Sequence, residues 1–194
     1  SMSKRDRPLG QPQLRVIGGD WRGRKLSFPS KGSLRPTTDR VRETLFNWLA
    51  PMVVEAQCLD LCAGSGALGI EALSRGAQRC DFVDTDQQAI DAIEKNLRSL
   101  GATERATLRT CRADTVLTGD VRWDIVFVDP PFEAGLGNSL LNRLAASQCL
   151  QEGGLVYFET RRSAPETVPE QRYEVYREKT AGDVCFQLLR FRSA

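Results

Sequence analysis

Asp129-Pro130-Pro131-Phe132 closes a run, Trp123-Asp124-Ile125-Val126-Phe127-Val128, that reads as a buried strand. Two consecutive prolines cannot donate ladder hydrogen bonds, so the strand stops there and its last carbonyls remain as free acceptors. A carboxylate, a stiff backbone and an adjacent aromatic suit the gripping of a planar ring that bears an exocyclic amine. The amine donates to Asp129 and to the Pro130 carbonyl while the ring stacks on Phe132. The plainer alternative is a strand followed by a proline turn.

A second constellation is Gly64-Ser65-Gly66-Ala67-Leu68-Gly69, which matches G-x-G-x-x-G between a strand and a helix, with Asp84 twenty positions after Gly64 at the end of the next strand. By count this is the dinucleotide fingerprint, and it marks nucleotide-like ligands in general. The glycines let the backbone approach a ligand, and Asp84 is placed to accept from ribose hydroxyls. Asp60 separates the candidates. A carboxylate so near repels a pyrophosphate resting on the helix N-terminus and favours a ligand with an amino group. S-adenosylmethionine has an ammonium, a cationic sulfonium, a ribose and an adenine, and no phosphate. That matches Asp60 at the methionine end, Asp84 at the ribose, and Ala113-Asp114 after the third strand at the adenine. Asp60 has a second reading, as a strand-end carboxylate capping local N–H groups, and Asp86 reads as the cap of the following helix.

These residues need a scaffold, and the pattern supplies one. From Gln57 onward, short apolar runs alternate with helical ones, the signature of a parallel sheet covered on both faces. The strands read as Cys58–Cys62, Cys80–Asp84, Ala106–Cys111, Trp123–Val128 and Gly154–Phe158, with an antiparallel pair at Tyr173–Arg177 and Val184–Phe191. Ahead of them, Leu14–Ile17 and Lys25–Phe28 flank a glycine-rich turn as a hairpin, and a helix capped by Thr38 or Asp39 carries Val41, Leu45, Trp48 and Leu49 on one face.

At 194 residues, one core is expected. The net charge of +2 hides an asymmetry: through Arg42 eleven Lys or Arg face three Asp, a balance of +8, which leaves the remainder at −6. A basic arm on an acidic body suggests a polyanionic partner met at one end, with Arg15, Arg22, Arg24 and Lys25 on the hairpin's exposed face. Six cysteines without a C-x-x-C pair read as core thiols in a reducing, cytoplasmic setting, and no metal site is expected. The absence of histidine excludes Ser-His and Cys-His hydrolases. No apolar stretch approaches the length of a membrane span, and no signal peptide is visible.

The segments D-L-C-A-G-S-G-A-L-G (Asp60 to Gly69), F-V-D-T-D (Phe82 to Asp86) and D-P-P-F (Asp129 to Phe132) resemble the cofactor and catalytic motifs of class I S-adenosylmethionine-dependent methyltransferases acting on amino nitrogens. R-V-I-G-G-D-W-R-G-R-K-L (Arg15 to Leu26) and R-P-T-T-D-R-V-R-E-T-L-F-N (Arg35 to Asn47) are similar to the N-terminal signature of the RsmD family, bacterial enzymes that methylate N2 of one guanine, guanine 966, in 16S ribosomal RNA. The resemblance runs from Arg15 to Phe191 in motif order. It implies an α/β, Rossmann-like class I methyltransferase fold: a mostly parallel seven-stranded sheet with an antiparallel C-terminal strand pair, plus a small N-terminal β-hairpin. It implies a cofactor pocket that also takes in Cys62, Ala63, Ser65, Gly66 and Thr85, a catalytic edge at Asp129, Pro130, Pro131 and Phe132, and Arg35 among the RNA contacts. Cys62 departs from the pattern, which has a larger apolar or aromatic residue there.

The expected organisation is a basic tail over 1–13, a hairpin-and-helix RNA-binding extension over 14–51 and the methyltransferase domain over 52–194. The expected partner is 16S rRNA or the small ribosomal subunit particle, met by a monomer. Competing readings are an adenine-N6 methyltransferase, which shares the D-P-P-aromatic logic, a non-catalytic RNA-binding assembly factor, and a nicotinamide oxidoreductase, which Asp60 disfavours.

Overall fold

Strand residues from Gln57 onward alternate between two apolar faces, and helices cover both in the structure, a computed structural model that describes residues 13–29, 38–131 and 133–193. A small antiparallel pair, β1 (Gln13–Arg15) and β2 (Lys25–Ser27), precedes α1 (Asp39–Leu49). Then follow β3 (Gln57–Asp60), α2 (Ala67–Ser74), β4 (Arg79–Asp84), α3 (Gln87–Ser99), β5 (Ala106–Thr110), β6 (Trp123–Val128), α4 (Leu136–Ala146), β7 (Leu150–Arg161), β8 (Tyr173–Ala181) and β9 (Val184–Phe191). The main sheet has the order β5-β4-β3-β6-β7-β9-β8, parallel through β7 and antiparallel at β9 and β8, as the sequence led us to expect.

One face carries Cys58, Phe82, Phe127, Tyr157 and Phe186, packed under α1, α2 and α3. The other carries Leu59, Val83, Val126, Val128 and Phe158 under Leu140, Leu141 and Leu144 of α4. Burial on both faces is what a parallel sheet requires, and it explains the unbroken apolar runs in these strands. Six cysteines are free thiols, and Cys58, Cys80 and Cys149 are buried.

Two strands are longer than their sequence pattern. β7 begins at Leu150 rather than Gly154, because Trp123 pairs with Leu150 and Ile125 with Leu155, so residues 151–154 bulge out opposite Asp124. β8 continues past Arg177 to Ala181, with a register shift between Val175 and Arg177 that breaks the apolar alternation.

The β1–β2 pair lies on the helical face, where Leu14, Val16, Leu26 and Phe28 join the core of α1 to α3. Glu71 on α2 anchors it. This carboxylate is fully buried and accepts from Ile17 N (2.9 Å), Gly18 N (3.0 Å), Arg42 Nη1 (3.2 Å) and Arg75 Nε (2.9 Å). Ser74 Oγ adds a bond to the Gly18 carbonyl (2.6 Å), and Asn96 pairs with the backbone of Ser27.

The glycine loop is shaped by close packing. Gly66 adopts a left-handed φ of 76°, which lets the chain turn into α2. At Gly69, a Cβ would stand 2.3 Å from a ring carbon of Phe82 and 2.7 Å from Cys80 Sγ, both fully buried. Gly69→Ala must therefore push α2 off β4, and a loss of about 1–3 kcal/mol in urea denaturation is expected; an unchanged midpoint would contradict this packing account.

Candidate active site at the switch point of the sheet

Chain order reverses between β3 and β6: β4 and β5 build outward on one side, β7 on the other. Such a switch point leaves a crevice beyond the carboxyl ends of the two central strands, where ligands settle in open α/β sheets. Asp60 ends β3 and Asp129 follows β6. Asp60 pairs in register with Phe127, which puts Asp129 two residues further along the same edge and on the same face.

Asp60 is 2% exposed, and its Oδ2 accepts from Gly69 N at 3.0 Å, inside the first turns of α2. Its local capping reading is thus present in the structure. Oδ1 takes no hydrogen bond among the described residues. Burial, opposed by the Gly69 N–H and reinforced by the charge of Asp84, pushes this carboxyl up to about 8. Asp84 is held by backbone as well, with Oδ2 accepting from Gly64 N (2.9 Å) and Oδ1 from Asp86 N (2.8 Å). Asp86 caps α3 through Gln88 N (2.9 Å), as its position suggested.

Three carboxylates converge on Cys62. Its thiol is pushed up to about 12, first by burial and then by the charges of Asp60, Asp84 and Asp129. Cys62 is half-buried, Ala63 and Ser65 are buried, and Thr85 is exposed. Ser65 Oγ accepts from Ala67 N at the start of α2. The loop is thus ringed by three carboxyl groups, a poor resting place for a pyrophosphate, whose charge would raise the cost of ionising them further. Ala113 opens a short 3-10 turn at the edge of this region, and Asp114 is engaged by Arg112 (3.2 Å) and Arg143 (3.8 Å).

Just beyond β6, Asp129 is half-buried, Pro130 buried and Pro131 exposed. Phe132 lies outside the described residues, as do Arg35 and the tail before Gln13. On the hairpin, Arg15, Arg22, Arg24 and Lys25 are exposed, and Arg24 also donates to the Ser99 carbonyl (3.1 Å) at the end of α3.

Sequence reasoning missed three features. Glu71 resembles an ordinary polar helix residue and signals nothing of its burial. On β7, Tyr157 donates its hydroxyl to Glu159 Oε2 at 2.5 Å. Beside it, a cavity of about 240 Å³ between α1 and the β8–β9 turn is lined by Arg40, Thr44, Lys179 and Thr180 over Phe186. The register of β7 against β6 and β9 sets Tyr157 and Glu159 next to the end of β6 and beside Phe186. Among the described residues, no cluster of acidic or sulfur side chains could hold a metal, and no helix is long and apolar enough to cross a membrane.

Comparison with known proteins fits this geometry. A family model described as "Conserved hypothetical protein 95" matches residues 14–190. The chain is 45% identical over 186 residues to ribosomal RNA small subunit methyltransferase D of Escherichia coli, covering 95% of this chain and 93% of that protein. It is 39% identical to the protein of the same name from Haemophilus influenzae, covering 96% and 98%. A solved structure of the candidate methyltransferase yhhF from Escherichia coli superposes with a TM-score of 0.86 at 44% identity, covering 94% of this chain and 100% of that one. A match over nearly the whole chain, at this identity and with this superposition, shows that the chain belongs to the RsmD family of class I methyltransferases.

Proposed function

We propose that this protein transfers a methyl group from S-adenosylmethionine to the N2 amine of a guanine in small-subunit ribosomal RNA. The observation that carries the reading is the pairing, at one switch point, of a carboxylate-ringed glycine loop with the Asp129-Pro130 acceptor edge.

The donor set fits the cofactor. A buried carboxylate with an unmatched oxygen, Asp60, suits its ammonium, Asp84 suits the ribose hydroxyls, and the Ala113-Asp114 turn after β5 takes the adenine in this reading. Bound there, the cofactor supplies a methyl group on a cationic sulfonium. The rest falls to the protein. Conjugation with the ring makes the guanine amine a poor nucleophile, so Asp129 and the Pro130 carbonyl accept its hydrogens and hold its lone pair in line. The proton released from nitrogen passes to the Asp129 carboxylate, the chain having no histidine to take it. Alignment of this kind can lower a barrier by about 7–11 kcal/mol in favourable systems, so no metal is needed.

Arg15, Arg22 and Lys25 hold phosphates in this reading, with Arg24 bracing the hairpin on α3, and Arg40 and Lys179 extend the basic surface to the site. Such contacts give affinity with little sequence information. The division into an RNA-binding extension over 14–51 and a catalytic part over 52–194 belongs to the same proposal, although the two share one core. Methyl label from S-adenosylmethionine is expected in small-subunit RNA offered as the assembled particle or as naked RNA; label in neither substrate would overturn the reading.

Asp60 gives this site a pH signature. Its raised pKa of about 8 leaves it largely protonated at neutral pH, whereas an ammonium partner requires the carboxylate. Cofactor binding therefore expels a proton, and affinity is expected to rise from about pH 6 to about pH 8, by up to about tenfold per unit. The rise ends as the ligand's own amine loses its proton, near 8. Calorimetric titration checks this: Asp60→Asn should flatten the curve, and a flat or falling wild-type curve would contradict the ammonium role.

A further inference from the structure

The Asp129 edge explains a grip on an amine but not a choice of base, because guanine and adenine both carry one. A second acceptor is present one strand over. Phe127 pairs with Tyr157 and Val128 with Phe158, so Asp129 and Glu159 are the next residues of adjacent parallel strands and share the face of Asp60. Glu159 also pairs with Phe186, which lines the basic cavity, so it stands between the catalytic edge and that cavity.

Glu159 is held in place. Tyr157 is fully buried, its ring is part of the core, and its hydroxyl donates to Glu159 Oε2 at 2.5 Å. Oε1 takes no hydrogen bond among the described residues, and the side chain is half-buried. The Tyr157 hydroxyl feels both Glu159 and Asp129 as charges, which places the two carboxyls around one group. A half-buried carboxylate is costly for the fold; burial raises the pKa of Glu159 against the pull of the Tyr157 bond. Stability alone would favour an uncharged residue here.

The chemistry of the two bases separates them at this point. Guanine presents two adjacent donors on one edge, the N2 amine and N1–H. Adenine presents its N6 amine next to N1, which is an acceptor. Two acceptors side by side match the guanine edge and confront the lone pair of adenine N1. Extruded bases are read on this edge, and a site built to bond a donor strongly rejects an analogue that lacks it.

We propose that Glu159, oriented by Tyr157, accepts the N1–H of the target guanine and sets the choice of guanine over adenine. This inference rests on the methyl-transfer reading above. The test uses the full chain and small-subunit RNA carrying either guanine or 2-aminopurine at the position the wild type methylates. 2-Aminopurine keeps the 2-amine but has no hydrogen on N1. The wild type should prefer guanine in kcat/KM, and Glu159→Gln, whose amide can turn a donor to N1, should reduce that preference by about 10- to 100-fold with S-adenosylmethionine affinity unchanged. Tyr157→Phe keeps the ring in the core and should reduce the preference in the same direction by a smaller factor, which covers the case in which Glu159→Gln does not fold. An unaltered ratio in the folded variants overturns the role of Glu159 and leaves the methyl-transfer reading standing. Methylation of adenine N6 by the wild type overturns both.

Discussion

Asp129→Ala is expected to slow methyl transfer by about 100- to 10,000-fold, the span usual for removing a positioned proton acceptor, while S-adenosylmethionine binding stays near the wild-type value. The split follows from the site's layout. The charge of Asp129 reaches Cys62, so it borders the glycine loop, but the hydrogen bonds that hold the loop and the start of α2 are made by Asp84 and Asp60. Asp129→Asn retains one acceptor oxygen and loses the proton sink, so its rate should fall between those of wild type and alanine. Single-turnover transfer with calorimetry of cofactor binding checks both parts. Undiminished transfer by Asp129→Ala would remove it from the chemistry, and a parallel loss of binding would make it a structural residue.

Glu71→Ala is expected to destabilise the protein by about 3–5 kcal/mol, because removing one side of a buried ion pair leaves groups desolvated that the carboxylate had satisfied. Arg42 is 1% exposed and would lose its buried carboxylate, while its contacts to the Arg15 carbonyl and the surface carboxylate of Asp39 remain. The N–H groups of Ile17 and Gly18 would lose their acceptor at the same time. Urea denaturation followed by tryptophan fluorescence measures the loss; a change under about 1 kcal/mol would contradict the anchoring role. Glu71→Gln keeps an acceptor and should lie between. Glu71 sits on α2, the helix that starts at the cofactor loop, and it grips the hairpin proposed to hold RNA. Loosening it should therefore raise KM for RNA as well.

The parallel sheet was legible because strands buried on both faces leave unbroken apolar runs, and the glycine loop because close packing of α2 on Phe82 permits nothing larger at Gly69. The Asp86 cap was legible because caps depend on neighbours in sequence. What stayed hidden depends on residues distant in the chain. Glu71 receives Ile17 from 54 positions away, and Glu159 matters because β7 lies beside β6. The irregularities at Asp124 and Tyr176 interrupt the period that marks a strand, so the sequence pattern of β7 and β8 is shorter than the strands themselves. The basic hairpin was recognised from its charge, but the assignment of Arg24 to a helix end required the docked arrangement with α3.

Nucleoside mass spectrometry of small-subunit RNA, after treatment with the enzyme and methyl-labelled S-adenosylmethionine, tests the central claim most directly. The label is expected in N2-methylguanosine alone, at one position, and absent with Asp129→Ala. Label in N6-methyladenosine, or no label with a cofactor-binding wild-type protein, would contradict it.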